Sequence, residues 1–157
     1  MPKQQNTIKA ILNEYTNTFS ALEKIVKGID ANTLVHIFDK ETKDIDCASI
    51  QNILGHVCSS GYFYIEMIQE FKKLPIEKGN KKLRYFSSSE YIHEFKKVIQ
   101  FTENTLLQLD DKDFGNSENL NTSWGQKYDL EQLMEHAIVH VMRHRWQIEK
   151  FLGLNII

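Results

Sequence analysis

The sequence is short of glycine, proline, cysteine, long apolar runs and basic charge, and each shortage excludes something. Seven glycines and two prolines among 157 residues, with 41% hydrophobic residues, do not fit a low-complexity or disordered chain. The apolar runs are a few residues each, far short of the ~20 that a membrane span needs, so no membrane partner is expected. The opening stretch MPKQQNTIKAILNEYTNTF is polar and passes straight into an amphipathic pattern, so it does not read as a secretory signal. Nineteen Lys+Arg stand against 21 Asp+Glu, a net charge of −2. A general nucleic-acid binder carries a basic excess or stripe, so no nucleic-acid partner is expected. The two cysteines, Cys47 and Cys58, lack CxxC spacing and flanking positive charge. They read as reduced thiols of a cytoplasmic protein, with Cys58 beside Val57 as core filler.

What is present is helical periodicity. The length suits one domain, 1–157, and a chain of this size buries roughly 70% of its extended surface. Residues 6–27 place Ile8, Ile11, Leu12, Tyr15, Phe19, Leu22 and Val26 at three- and four-residue steps, with Gly28 as the stop. Residues 29–48 carry DKETKDID, lack any period and read as a long polar connection. Ser49 is an N-cap for a second block bearing Ile50, Ile53, Leu54, Val57, Gly61, Ile65, Ile68 and Phe71, with Pro75 marking its end. After the solvated linker EKGNKKLR (77–84), Ser87 and Glu90 offer a capping box for a third stripe, Tyr91 to Leu109. A turn-rich loop, DDKDFGNSENLNTSWGQKY, leads to Asp129 and Gln132, which repeat the box before a last helix running to Gly153. No segment alternates long enough to be a strand. Four long amphipathic helices predict an all-α, four-helix bundle.

Three of the six histidines fall in one line on the last helix: His136, His140 and His144 in EHAIVHVMRHRWQIEKF. Neighbours four apart are one turn and ~6 Å of rise from each other, and such a pair can chelate an ion. All three cannot, because the outer two are ~12 Å apart along the axis. On the helical wheel His144 lies ~40° from the centre of the apolar stripe, His140 ~80° and His136 ~120°. His140 and His144 therefore face the interior, with Gln147 near enough to hydrogen-bond a ligand or water, and His136 sits on the rim. A catalytic zinc-type centre takes three protein ligands and leaves a position open. His56, on the second helix beside small Ser60 and Gly61, is the best third candidate, the small neighbours leaving space for entry. Imidazole coordination suits Zn, Ni, Cu or Fe; a divalent ion, Zn or Ni first, is expected. A bland reading stands beside this one, in which the rings form a polar network with no metal.

His93 and His36 are expected at the surface. Asp129, Glu131, Glu135 and Glu149 read as solvated helix charges. Arg145 is the nearer of two arginines to the interior, placed to steady an anionic group or to pair with a carboxylate of a neighbouring helix. Trp124 fits either a pocket mouth or a plug at the bundle end.

One histidine in the second helix (SIQNILGHV) together with HVMRHRWQIEKFLG and the approach TSWGQKYDLEQLMEH resembles the DinB/YfiT-like superfamily of small metal-binding four-helix proteins. The resemblance covers essentially the whole chain in helix order. It implies an up-down-down-up bundle with a long crossing connection between the second and third helices. It also implies a metal site made by His56, His140 and His144, with His136 as a possible competitor, and a homodimer. Relatives of this kind imply a thiol S-transferase or hydrolase acting on a small-molecule substrate with a low-molecular-weight thiol such as bacillithiol or mycothiol. Trp146 departs from the family, which often has glycine there; the change touches packing and not the ligands. A non-catalytic metal-binding or dimerisation module is the alternative.

Overall fold

The computed structural model describes residues 2–115 and 118–154. Five helices follow in order: α1 Asn6–Val26, α2 Ala31–Val35, α3 Ile50–Phe71, α4 Ser88–Leu106 and α5 Leu130–Phe151. Short 3-10 turns lie at Ile45–Cys47 and Asp111–Asp113, and a two-stranded antiparallel hairpin pairs β1 Leu120–Asn121 with β2 Lys127–Tyr128. Among the described residues no helix is long and apolar enough to cross a membrane.

The four long helices are the four expected blocks, and their ends follow the expected chemistry. Ser49 accepts from the Asn52 amide, and Asp129 with Gln132 forms a complete capping box. At Ser87 the box is half made: the hydroxyl accepts from the Glu90 amide but gives its own hydrogen to the Glu90 carboxylate. Helix α5 closes in a Schellman motif, Leu154 N–H to Glu149 O and Gly153 N–H to Lys150 O, with Gly153 at φ +71. Pro75 does not end α3; the helix stops at Phe71, and Lys73 turns left-handed at φ 55 before the proline. Two small elements escaped periodicity. Helix α2 is five residues long, capped by Asp30, with Leu34 alone buried. The hairpin strands are two residues each, below the length at which alternation is visible.

Direction follows from which residues meet. Phe19 packs on Phe95 while Gln5 reaches Leu107 and Leu109, so α1 and α4 are antiparallel. Tyr91 reaches Gln51, and Gln69 reaches Thr105, so α3 and α4 are parallel. His56 meets His140 and His144 while Tyr64 meets His136, so α3 and α5 are antiparallel. The bundle is up-down-down-up.

Parallel neighbours in sequence require a connection that returns the full length of a helix, and residues 72–87 provide it. The Gln69 side chain accepts from the Glu77 amide, Lys81 pairs with Glu66 at 3.2 Å, Gly79 lies against the Tyr62 ring, and Gln51 donates to Tyr85 O at 2.8 Å. Glu94 on α4 clasps this strap. Its buried carboxylate accepts from the Tyr62 and Tyr85 hydroxyls and the Asn80 amide. Burial alone would raise the pKa of Glu94, but these donors outweigh it and the net shift is downward. The helices themselves meet closely at Gly61, where a Cβ would stand 2.6 Å from Val98 Cγ1 and 3.0 Å from the Tyr15 hydroxyl. The small residue there admits helix α4, not a ligand.

Candidate metal centre

His56 sits in the first half of α3, and His140 and His144 lie at and just past the middle of α5, so antiparallel packing brings them together. The 29–48 connection adds a third side. Asp44 caps the turn at Ile45–Cys47, an isolated bridge joins Ile37 to Ser49, and Asn52 donates to Ile45 O at 2.9 Å. That anchoring holds Asp46 beside His56.

His56 Nε2 lies 3.0 Å from His140 Nε2, and His144 Nε2 lies 3.1 Å from the same atom. One ring nitrogen from each of the three lies within 4.8 Å of the others. His140 and His144 are 6% and 2% exposed, whereas His56 is half-buried and meets solvent. The tautomers follow from the outer partners. His144 Nδ1 is 2.7 Å from Gln147 Oε1, and His56 Nδ1 is 3.5 Å from Asp46 Oδ2. Gln147 Oε1 is an acceptor, so His144 Nδ1 carries the proton and its Nε2 presents a lone pair; the Asp46 carboxylate, beyond hydrogen-bond geometry, favours the same tautomer of His56 electrostatically. Two such lone pairs converge on a third imidazole nitrogen, which has at most one proton to share while neutral. A cation fits this donor set better than the rings fit one another. Donors ~2.0–2.1 Å from a shared ion stand roughly 2.9–3.4 Å apart, which matches the two separations from His140 Nε2, the His56–His144 pair lying within 4.8 Å.

Protonation does not relieve the crowding. Burial, then the neighbouring charges, pushes His140 down to about 2; burial also takes His144 down to about 4 against the opposing Gln147 hydrogen bond. At neutral pH both rings are in the neutral form that ligates metals.

His136 is not among the converging nitrogens; it stacks on Trp124 at 4.9 Å and lies edge-on to Tyr64 at 5.4 Å. Gln147 orients His144 and also accepts weakly from Cys47 Sγ at 3.9 Å, so it serves the ring and not a ligand. Arg145 pairs with Glu149 of its own helix at 3.4 Å, not with a neighbouring helix. His93 and His36 are exposed and Cys58 is buried core, as expected. Trp124 is 38% exposed and joins an aromatic group with Tyr64, Tyr128 and His136. Sequence reasoning missed Asp46, whose place depends on a loop with no period; the one available signal was the Asp-rich stretch itself. A cleft of about 280 Å³ opens on the outer side of His56, lined by Asp46, Asn52, Ser59, Lys81 and Arg84 among others.

The family model of the DinB superfamily matches residues 14–148, a span that contains all three converging histidines. No curated protein matches the chain.

Proposed function

The chain belongs to the DinB superfamily, and from that footing we propose that it is a divalent-metal-binding protein in which His56, His140 and His144 hold the ion. We further propose that it acts as a metal-dependent thiol S-transferase or hydrolase on a small molecule. The observation that carries the reading is the convergence of three imidazole nitrogens, two of them on buried rings held in the neutral form. Zn or Ni is the expected ion, imidazole being a good ligand for both. When bound, such an ion lowers the pKa of water or a thiol and supplies a nucleophile at neutral pH.

The protein's own residues do the rest. Asp46 and Gln147 keep the His56 and His144 rings turned so that Nε2 faces inward, and this orientation raises ligand basicity. Burial of His140 and His144 keeps protons from competing for the same lone pairs. The exposed edge of His56 leaves a route in from solvent.

The test is elemental mass spectrometry of untagged protein beside a His140→Ala/His144→Ala variant. One ion per chain in the first and none in the second is expected; full occupancy in the variant would refute the assignment. Turnover of thiol conjugates and esters by the loaded protein then separates transferase from hydrolase. A second reading, a metal-held dimerisation module without catalysis, draws on the exposed Val139, Met142 and Trp146 along the outer face of α5. Sedimentation of the loaded protein, together with absence of any turnover, would favour it.

A further inference from the structure

On α5 the positions 136, 140, 143 and 147 fall on one face, because steps of three and four residues return to nearly the same direction. Arg143 therefore shares a face with His136, His140 and Gln147. Long helical side chains lean toward the N-terminal turn, the side on which His140 and His136 lie. Its charge acts on His136, His140, His144 and, across the interface, the Tyr64 hydroxyl of α3. Arg143 is exposed and makes no ion pair with any carboxylate among the described residues. Arg145, two positions on, is less exposed and faces Glu149 of its own helix at 3.4 Å, a contact without hydrogen-bond geometry.

Beside this cation stands a continuous aromatic wall. The His140 ring is 5.7 Å from Tyr64; Tyr64 is 5.9 Å from Trp124; Trp124 stacks on His136 at 4.9 Å and meets Tyr128 at 6.2 Å. The hairpin holds Trp124 there, since Thr122 and Gln126 close its turn through both backbone and hydroxyl hydrogen bonds. An open guanidinium prefers a carboxylate or similar oxyanion, and a partly exposed indole next to imidazole and phenol rings prefers a flat apolar body.

We propose that Arg143 and the Tyr64–Trp124–His136 wall form the substrate-recognition surface, selecting small organic anions that carry a flat apolar body. The inference rests on the triad being the reactive centre. It assigns the anion-anchoring role to Arg143 and not to Arg145.

Phenylacetate and its neutral isostere phenylacetamide are the probes, titrated into 15N-labelled protein with and without added zinc. The indole N–H of Trp124, identified by its loss in Trp124→Phe, reports binding. In the wild type phenylacetate is expected to bind about tenfold more tightly than phenylacetamide, one charge-assisted contact's worth. Arg143→Gln is expected to erase that preference and leave phenylacetamide unchanged, and Arg143→Lys to restore part of it. Equal binding of the two probes by the wild type, an undisturbed Trp124 signal, or a preference that survives Arg143→Gln would overturn the proposal. The metal content of the same samples keeps the two readings apart. If no zinc is retained, the metal assignment fails while the probe preference of the metal-free protein still decides the role of Arg143. If zinc is retained and the preference survives Arg143→Gln, the ion itself takes the anion and Arg143 does not.

Discussion

Acidifying the metal-free protein probes the electrostatics of the triad without involving any ion. In the folded chain His140 is held down to about 2 and His144 to about 4, whereas a histidine in the unfolded chain titrates near ~6.5. As the pH drops below that value the unfolded chain takes up protons at these two positions and the folded chain does not. Their effect on stability is therefore nil above about pH 7 and unfavourable through the interval from about 6.5 down to about 4. Each ring changes stability by up to about 1.4 kcal/mol per pH unit. Between pH 6 and pH 5 the pair then removes on the order of 2 kcal/mol, against a total of roughly 5–15 kcal/mol for a domain. Urea denaturation with a chelator present, at pH 7, 6 and 5, measures this directly. The His140→Asn/His144→Asn variant, lacking the titrating rings, is expected to give a much flatter profile over the same range. Glu94 and Asp113, both shifted downward, retain their contribution until the pH falls below about 4.5 and do not confuse the window. Parallel profiles for wild type and variant would mean that burial does not suppress protonation of these rings, and the neutral-ligand picture would fall with it.

Three further outcomes are expected. Gly61→Ala puts a methyl group against Val98 and Tyr15 and should cost about 1–3 kcal/mol in chemical denaturation. Gln147→Leu removes the acceptor of His144 Nδ1; zinc affinity, followed by competition with a chromophoric chelator, should fall about 10–100-fold with the ligands all present. Glu94→Gln replaces the charged acceptor of three donors and should destabilise by about 1.5–3 kcal/mol. Its amide exchange should quicken first in the 77–87 strap, which Glu94 ties to α4 together with Tyr91.

The four long helices were legible because each has a continuous apolar stripe, and three of them also have a side-chain cap next to it in sequence. Ser49, Asp129 and Gln132 could be assigned from local spacing alone, since their partners are three residues away. The start of α1 could not: Gln5 provides no side-chain cap, and the Thr7 and Ile8 amides are served instead by Asp111, more than a hundred residues on. Tyr62, Tyr85, Asn80 and Glu94 are unremarkable in sequence, because a buried carboxylate is recognisable only once its donors are assembled. The same distinction runs through the site. His140 and His144 share a helix face, so their approach is set by helical pitch; the meeting with His56 depends on the packing of α3 against α5. Asp46 was overlooked because it sits on an aperiodic loop, and the wheel, which placed Arg145 nearer the interior than Arg143, did not show that Arg145 faces Glu149 of its own helix.

The strap between α3 and α4 has a consequence for what lengths of chain this protein can tolerate. Between the Gln51 and Gln69 anchors helix α3 rises about 27 Å, and a fully stretched chain covers about 26–29 Å between Glu77 and Tyr85. The segment is near the length that the span calls for and is not straight throughout: it bends at Lys81, where the Lys82 amide donates to Asn80 Oδ1. An extended chain ordinarily finds its hydrogen bonds in a neighbouring strand; here glutamine side chains on a helix stand in for one, at fixed stations. Deleting one residue from 77–85 would pull on the stations at Gln51 and Gln69 together.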